Sequence, residues 1–565
     1  MDAFNIALNQ PCEGEETHWY ACALELQLAS LEFCRMCRSI PTLHVRVDGK
    51  TPPSVWFRRE SHTGPSTSSS EESHIVSRVP AVRALRLTWA LPIDVLLESA
   101  AAELWTGSVF LRVQRSLSVA GLASVVWPAG LKAMVLDTAV GTSLEEASWP
   151  PALQSLTLGD WFNTPIAGVM WPASLQELKF GCGFNQPIID VMWPVSLQKL
   201  TFGYEYNQPI DGVMWTDSLQ ELTLGYHFNQ PIAGVAWPAS LKQLSFIHDF
   251  NQPLLGVVWP TSLRQLSFGQ QFNKPIAGVV WPSSLQQLSF GATFNEPIVD
   301  VVWPASLQQL SFGYCFNQGL GGVFWPASLQ QLSFGWEFNQ SVANVLWPPH
   351  LEQLTFHGLF NQPITEVVWP ASLQQMVFRE WFNSAIAGVA WPASLQQLSF
   401  GSYFNQPITG VVWPATLRQL SFGRFFNQPI AGVAWPASLQ QLKFGCHFDQ
   451  PVAEVLWPAS LQQVSFGRWL NQPIAGIAWP ASLQQLSFGD EFNQPIAGVV
   501  WPASLRNVKF GRRFNQPVVG VQWPASLEKI AFGVCFDQSV SGVVWPASLQ
   551  HLSFGYGFKQ PIDGE

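Results

Sequence analysis

A strict 22-residue period constrains the fold of this chain more than any other feature of its sequence. Twenty tryptophans, from Trp127 through Trp149 to Trp545, follow one another at this interval without an insertion or a deletion. With Trp as position 1, apolar residues recur at positions 5, 8, 10, 14, 18 and 21 of the unit. A period between about 20 and 29 residues indicates an array in which each unit forms one coil of a solenoid.

Each unit contains one predicted strand. Positions 8 and 10, such as Leu310 and Phe312, have the two-residue spacing of side chains on one face of a strand, and Gly313 at position 11 ends it. The other apolar positions are interrupted by Asn-Gln-Pro and Trp-Pro, which favour turns over a regular helix. One unit cannot bury a core alone. We therefore expect the coils to stack, with their strands paired in parallel about 4.8 Å apart.

The segments WPASLQQLSFG (479–489) and FNQPI (492–496) resemble the FNIP repeat, a unit similar to the leucine-rich repeat. The likeness covers roughly residues 127–565. It implies a curved right-handed solenoid that is used for protein contacts, and it implies no catalytic residue. The expected fold is therefore a β-rich solenoid of 22-residue leucine-rich-repeat-like coils, with a parallel β-sheet on the concave face and a small, partly helical N-terminal region.

Three regions are predicted along the chain. Residues 1–78 do not repeat; Glu15–Arg38 has the composition of a helix, and Ser61–His74 is a serine-rich linker. Residues 79–148 keep fragments of the unit and are predicted to cap the array as worn repeats. Residues 149–565 are close copies that form the solenoid.

Two segments leave alternatives open. Leu91–Trp105 resembles the start of an F-box, the helical module that connects a repeat domain to a ubiquitin ligase, although the pattern is lost after Leu97. Residues 91–115 are thus either worn repeats or the ligase-binding part of a substrate adaptor. The coil that begins at Trp545 has no polar cap after it. Either the chain is truncated there, or this coil pairs with another molecule, for example by self-association with a second copy.

Composition excludes several classes of partner. The net charge of −10, with only 28 Lys and Arg residues in 565, argues against a nucleic-acid or anionic-membrane surface. The sequence shows no apolar run of membrane-spanning length and no leader at its start, which favours a soluble, cytoplasmic protein. Four repeat cysteines lie four to six coils apart, too far for disulfides, so they are predicted to be free thiols: Cys182, Cys315, Cys446 and Cys535. An extracellular structural or adhesive protein is the disfavoured alternative.

No catalytic, metal or cofactor site is expected. An array places identical groups in rows, whereas catalysis needs unlike groups at one point. Cys34 and Cys37 form a lone C-x-x-C without a further ligand pattern, and buried structural cysteines are the preferred interpretation. His248 beside Asp249 is the nearest approach to an acid–base pair, and we interpret it as a pair of surface neighbours.

Positions 12 and 13, directly after the strand, vary while the rest of the unit scarcely changes. Asparagine at position 15, as in Asn163 and Asn185, is interpreted as structural, because its amide can satisfy backbone groups of the next turn. The variable strip is instead rich in Tyr, Trp, His and Arg, the residues that anchor interfaces. Its predicted partner-binding residues are Trp161, Tyr204, Tyr226, His227, Trp336, Trp381, Tyr403, Arg424, Phe425, Arg468, Trp469, Arg512 and Arg513.

The function predicted from the sequence is a scaffold that binds protein or peptide partners. Rows of Gln and Ser at positions 7 and 9, such as Gln309 and Ser311, would form a polar floor beside the strip. Arginines at position 12 of the later repeats would attract an acidic end of a partner. The alternative without a binding role is that the turn tolerates any residue, because exposed loop tips vary freely.

Overall fold

The computed structural model of the chain describes residues 43–47, 84–89, 108–114, 127, 130–137 and 143–561, and for the first three segments it describes the backbone alone. The predicted helix, the serine-rich linker, the C-x-x-C pair and the F-box-like Leu91–Trp105 lie outside these residues. The described residues form strands and turns, and they include no helix. The boundaries predicted at residues 78 and 148 remain predictions.

The chain forms two compact units. Among the described residues, the first comprises those up to residue 252 together with 256–263 and 267–269, and the second comprises residues 253–255, 264–266 and 270–561. The strands of the first unit are β1 (Leu43–Val47), β2 (Ala84–Trp89), β3 (Ser108–Gln114), β4 (Leu131–Asp137), β5 (Ser155–Leu158), β6 (Glu177–Lys179), β7 (Lys199–Thr201), β8 (Glu221–Leu224) and β9 (Gln243–Phe246).

The strand β10 (Gln265–Ser267) has residues in both ranges. The strands of the second unit are β11 (Gln287–Ser289), β12 (Gln309–Ser311), β13 (Gln331–Phe334), β14 (Gln353–Phe356), β15 (Gln375–Phe378), β16 (Gln397–Ser399), β17 (Gln419–Ser421), β18 (Gln441–Lys443), β19 (Gln463–Ser465), β20 (Gln485–Ser487), β21 (Asn507–Lys509), β22 (Lys529–Ala531) and β23 (His551–Ser553).

Each unit is a parallel sheet in which consecutive strands pair. In the first unit, β1 to β9 pair in order, and from β4 onward the partners are one repeat apart, as in Leu156 with Leu178. In the second unit, β11 to β23 keep the same register throughout, as in Leu288 with Leu310. The predicted strand and the parallel stacking of coils are confirmed.

The core consists of columns of identical side chains, because an offset of one full repeat places each position against its own copy. Leucines at positions 5 and 8 and rings at positions 10 and 14 are almost completely buried in the described coils before the last one, where Leu549, Leu552, Phe554 and Phe558 are half-buried. Phe312 and Phe316, for example, lie with ring centroids 4.1 Å apart, and each stacks on its copy in the next coil. Offset stacking of this kind adds to the free energy of burial.

Polar ladders fix the turns between the strands. The Oδ1 atom of Asn405 accepts a hydrogen bond from the backbone N–H of Asn427 at 2.8 Å and another from the side chain of Gln428 at 3.2 Å. On another side of the coil, the Ser438 hydroxyl donates to the Leu417 carbonyl at 2.7 Å. Both contacts repeat along the described coils, so the prediction of a structural asparagine column is confirmed.

Glycine at position 11 is required in the coils where one turn closely approaches the next, although Ile247, His357 and Arg379 occupy this position in three other coils. A Cβ atom placed on Gly423 would lie 1.7 Å from the carbonyl oxygen of Gly401, which no side chain can accept. This close approach brings successive turns together directly after the strand. It therefore sets the spacing of the variable side chains at positions 12 and 13.

Candidate protein-interaction site

The side chains at positions 12 and 13 are held in rows by a backbone ladder. The N–H of Phe425 donates to the carbonyl of Ser402 at 2.8 Å, and the N–H of Trp469 donates to that of Cys446 at 2.8 Å. The same bond joins position 13 of one coil to position 12 of the preceding coil along much of the array. Because each turn is anchored to its neighbour, side chains at one position can stack when they are aromatic in adjacent coils.

Five adjacent coils of the second unit place aromatic rings at position 13, and we call these rings the ring column. Their centroids are separated, in order, by 4.1, 4.9, 4.7 and 6.2 Å. Most of these side chains are exposed by roughly two fifths, as with Tyr403 at 39% and Trp469 at 46%. The ring column consists of Trp381, Tyr403, Phe425, His447 and Trp469.

Two arginines at position 12 lie over this column. The guanidinium carbon of Arg424 is 5.3 Å from the Phe425 ring centroid, and that of Arg468 is 5.6 Å from the Trp469 ring. These are cation–π distances, and they hold both charges at the surface of the column. Arg468 also lies 3.9 Å from the Asp490 carboxylate, whereas Arg424 makes no ion pair with the described residues.

A groove crosses the strands of the same five coils. It has a volume of about 370 Å³ and is lined by β15 to β19, from Gln375 to Ser465. Its floor consists of the outward residues at positions 7 and 9, mainly Gln and Ser, with Lys443 as the one cation in the lining. These side chains offer both donors and acceptors, so the floor can bind a polar backbone.

A second aromatic group occurs in the first unit. The rings of Tyr204, Tyr226 and His248 stack at position 12 with centroid distances of 4.2 and 4.0 Å. His227 lies edge-on to the two tyrosines, at 4.6 and 5.1 Å. This arrangement, which we call the tyrosine–histidine cluster, contains three of the predicted partner-binding residues.

A carboxylate joins this cluster. Asp249 contacts His227 Nδ1 through Oδ2 at 2.6 Å and His248 Nδ1 through Oδ1 at 2.5 Å. The hydrogen bond from His227 is the main reason that the pKa of Asp249 lies below its usual range, and His248 adds to the shift. The sequence indicated only the neighbour pair His248 and Asp249, because His227 belongs to the preceding repeat and approaches through the stacking of coils.

The remaining predicted residues do not join either group. Trp161 is 74% exposed, and Trp336 stacks on Tyr314 at a centroid distance of 5.9 Å. Arg513 forms a 2.8 Å ion pair with Glu491, and Arg512 beside it is exposed. A role of these four residues in partner binding remains a prediction.

The structure also reveals an exposed apolar row at position 22 that the sequence interpretation missed. Its large side chains are between 74% and 83% exposed, although the valines at position 21 beside them are buried in all coils but that of Val543. A signal was present, because adjacent apolar residues such as Val169 and Met170 directly before a Trp cannot both face the core. The large residues of this apolar row are Met170, Met192, Met214, Val258, Val280, Val302, Phe324, Leu346, Val368, Val412, Leu456, Val500 and Val544.

The described residues contain no cluster of three His, Cys, Asp or Glu that could hold a metal ion. Cys182, Cys315, Cys446 and Cys535 are free in the structure, as the coil spacing predicted. In the same part of the chain, no helix combines the length and apolar character that crossing a bilayer requires.

Comparison with known sequences identifies the repeat. The profile of the FNIP Repeat matches residues 184–227, 206–249, 250–288, 272–315, 316–359, 360–425, 471–513, 492–535 and 514–557. The chain belongs to the FNIP repeat family. No curated protein sequence matches it at a significant level.

Solved structures place this FNIP-repeat chain among leucine-rich-repeat folds. It is 35% identical to CroV588, described as a circular leucine-rich-repeat protein, with a TM-score of 0.74 over 84% of this chain and 74% of that one. It also matches the Toll–Spatzle complex of Drosophila at 11% identity and a TM-score of 0.46, over 86% of this chain and 67% of that chain. The first match confirms the predicted fold class, and the second is too distant to carry an argument.

Proposed function

We propose that this FNIP-repeat protein is an interaction scaffold, and that the five coils from Trp369 to Ala478 bind an extended, acidic polypeptide segment. The supporting observation is that one stretch of the solenoid combines the ring column, both position-12 arginines of that column and the polar groove. In the described part of the second unit, no other run of rings at position 13 is as long.

The ring column is suited to binding because it is rigid before a partner arrives. Each turn is tied to the next through the bond from position 13 to position 12, and each ring is fixed by its stacked neighbours. Little side-chain entropy is then lost on association. Aromatic rings and arginine in a fixed array supply the contact area and planar donors that dominate interface energies.

The charge of these coils favours an acidic partner. Residues 369–478 contain five Lys and Arg residues against three Asp and Glu residues, in a chain whose net charge is −10. A local positive surface on an otherwise acidic protein directs a negatively charged segment of a partner to that surface. The groove floor supplies hydrogen bonds that do not depend on the sequence of the bound backbone.

The test is the binding of labelled peptides to the full chain, measured by fluorescence anisotropy at two salt concentrations. We expect an extended Asp- and Glu-rich peptide to bind more tightly than a Lys-rich peptide of equal length, and to weaken as salt rises. The double variant Arg424→Ala/Arg468→Ala should weaken binding by about tenfold or more.

A matched control keeps this test specific. Arg264→Ala/Lys274→Ala removes the same number of charges outside the five coils and should change the affinity by less than about twofold. Equal losses of affinity in the two double variants would show that the effect comes from the overall charge of the protein. Equal binding of acidic and basic peptides would refute the proposed site.

A further inference from the structure

The apolar row has a regular alternation of size in the second unit. Over seven consecutive coils, large and small residues alternate at position 22, so that a protruding side chain on one coil is followed by a gap on the next. The large members are between 77% and 83% exposed. The sequence of this alternation is Val368, Ala390, Val412, Ala434, Leu456, Ala478 and Val500.

The surface around the row is almost uncharged. In the same coils the residues at positions 3, 17, 19 and 20 are exposed, and most are Ala, Pro, Gly or Thr, as at Ala437 and Gly432. Glu366 and Glu454 are the only charged residues at these positions between residues 347 and 500. An exposed apolar surface of this extent marks an interaction site. The absence of Lys and Arg argues against an anionic membrane as its partner.

The alternation identifies the partner. We propose that the second unit binds a second copy of this chain through the apolar row, about a two-fold axis that runs across the row between Ala434 and Leu456. This symmetry reverses the order of coils in the partner copy, so each large residue between Ala390 and Val500 meets a small one. Leu456 then faces Ala434 of the second copy, Val412 faces Ala478, and Val500 faces Ala390.

A helical peptide fits the row less well. An α-helix rises about 5.4 Å per turn, close to the spacing of one coil, so a helical ligand would fill the gaps at the alanines only if its own side chains alternated in size from turn to turn. The second copy fills these gaps because its own row has the same two-coil alternation.

The size of the contact suits a dimer. Full burial of one valine-sized side chain removes roughly 100 Å² from water. If each of the six coils that the axis pairs, from Ala390 to Val500, buries about that much on each copy, the contact covers roughly 600 Å² per partner, at the lower end of specific interfaces. Glu454 would then lie opposite Gly432 of the second copy, where the missing side chain leaves room for water around the carboxylate.

The experiment is sedimentation of the full chain across a wide concentration range. We expect a concentration-dependent dimer for the wild type. Leu456→Glu should raise the dissociation constant at least about 30-fold, because it places a carboxylate in the centre of an apolar contact on both copies. Val280→Glu changes an equally exposed residue of the same row outside the seven coils, so it should leave the dimer intact. Circular dichroism verifies that both variants are folded.

A charge pair tests the register. In Ala434→Lys/Leu456→Glu the new lysine faces the new glutamate of the other copy, so the dimer should be restored. In Ala390→Lys/Leu456→Glu the lysine faces Val500, and the dimer should stay weak. A monomeric wild type, dissociation by Val280→Glu equal to that by Leu456→Glu, or equal rescue by both double variants would each overturn the proposal.

Discussion

The ring column of the second unit and the tyrosine–histidine cluster of the first unit arise from the same turn but present opposite charges. Residues 369–478 carry more basic than acidic residues, whereas residues 193–252 carry two lysines and five acidic residues. In the second unit arginine lies over the rings, and in the first unit Asp249 binds two imidazoles. One backbone can therefore present different recognition surfaces, because the ladder fixes the position of the side chain and leaves its chemistry free.

The largest effect should be equal in the two regions, because the asparagine ladder is common to both. Asn405→Leu leaves the N–H of Asn427 and the amide of Gln428 without their acceptor. Asn207→Leu leaves the N–H of Asn229 without its acceptor, while the amide of Gln230 keeps its bond to the Asn207 carbonyl. Each variant should lose about 2–4 kcal/mol of unfolding free energy, measured by urea denaturation.

Aspartate is the control for this ladder, because Asp449 already accepts the same bonds from Asn471 and Gln472. Asn405→Asp and Asn207→Asp, whose neighbours in the column are asparagines, should stay near the wild type. A large loss of unfolding free energy for the leucine variant of one region and none for that of the other would show that the backbone ladders of the two regions differ. The two regions would then differ in more than their surface side chains.

The next largest effect is a change in stability that should have opposite signs in the cores of the two units. Tyr206 takes the place of the phenylalanine at position 14, and its hydroxyl is buried without a hydrogen-bond partner. Burial raises the pKa of this phenol far above its usual value. Tyr206→Phe should therefore stabilise the first unit by about 1–3 kcal/mol. In the second unit, Phe426→Tyr should lose a similar amount, and a neutral result in both would mean that water reaches these hydroxyls.

The third effect concerns binding at the centre of the ring column. Phe425→Ala removes the ring that supports Arg424 and separates Tyr403 from His447. The affinity for an acidic peptide should fall about tenfold, as measured by anisotropy. Phe425→Trp should retain it, and Tyr226→Ala in the first unit should not change it. A loss of affinity in Tyr226→Ala would instead indicate that the acidic peptide binds the tyrosine–histidine cluster of the first unit.

The smallest effect is a dependence on pH in the first unit. The pKa of Asp249 is lowered in the folded chain, so its stabilising contact is present above the usual carboxyl value, about pH 4, and is lost as the pH falls through and below it. Hydrogen exchange in the coils around Asp249 should accelerate there more than in Asp249→Asn. An identical pH profile in the two proteins would show that the carboxylate does not support the cluster.

The sequence alone determined the coil, the strand, the register and the buried positions. Leu310 could be assigned to the core and Asn427 to a ladder because a strict repeat period makes each position meet its own copy. Family membership followed from the order of the same residues. These properties depend on contacts that repeat in every coil, so a comparison of successive copies of the unit is enough to predict them.

Only the tertiary structure decided which variable residues lie together in space. Trp381 and Trp469 belong to one column because every coil between them also has a ring at position 13, whereas Trp161 remains apart from both groups. His227 reaches Asp249 across a coil boundary, and Val412 points outward although its neighbour Val411 is buried. The direction of a side chain at a turn depends on the local backbone and on the neighbouring coils, and hydrophobicity alone does not record it.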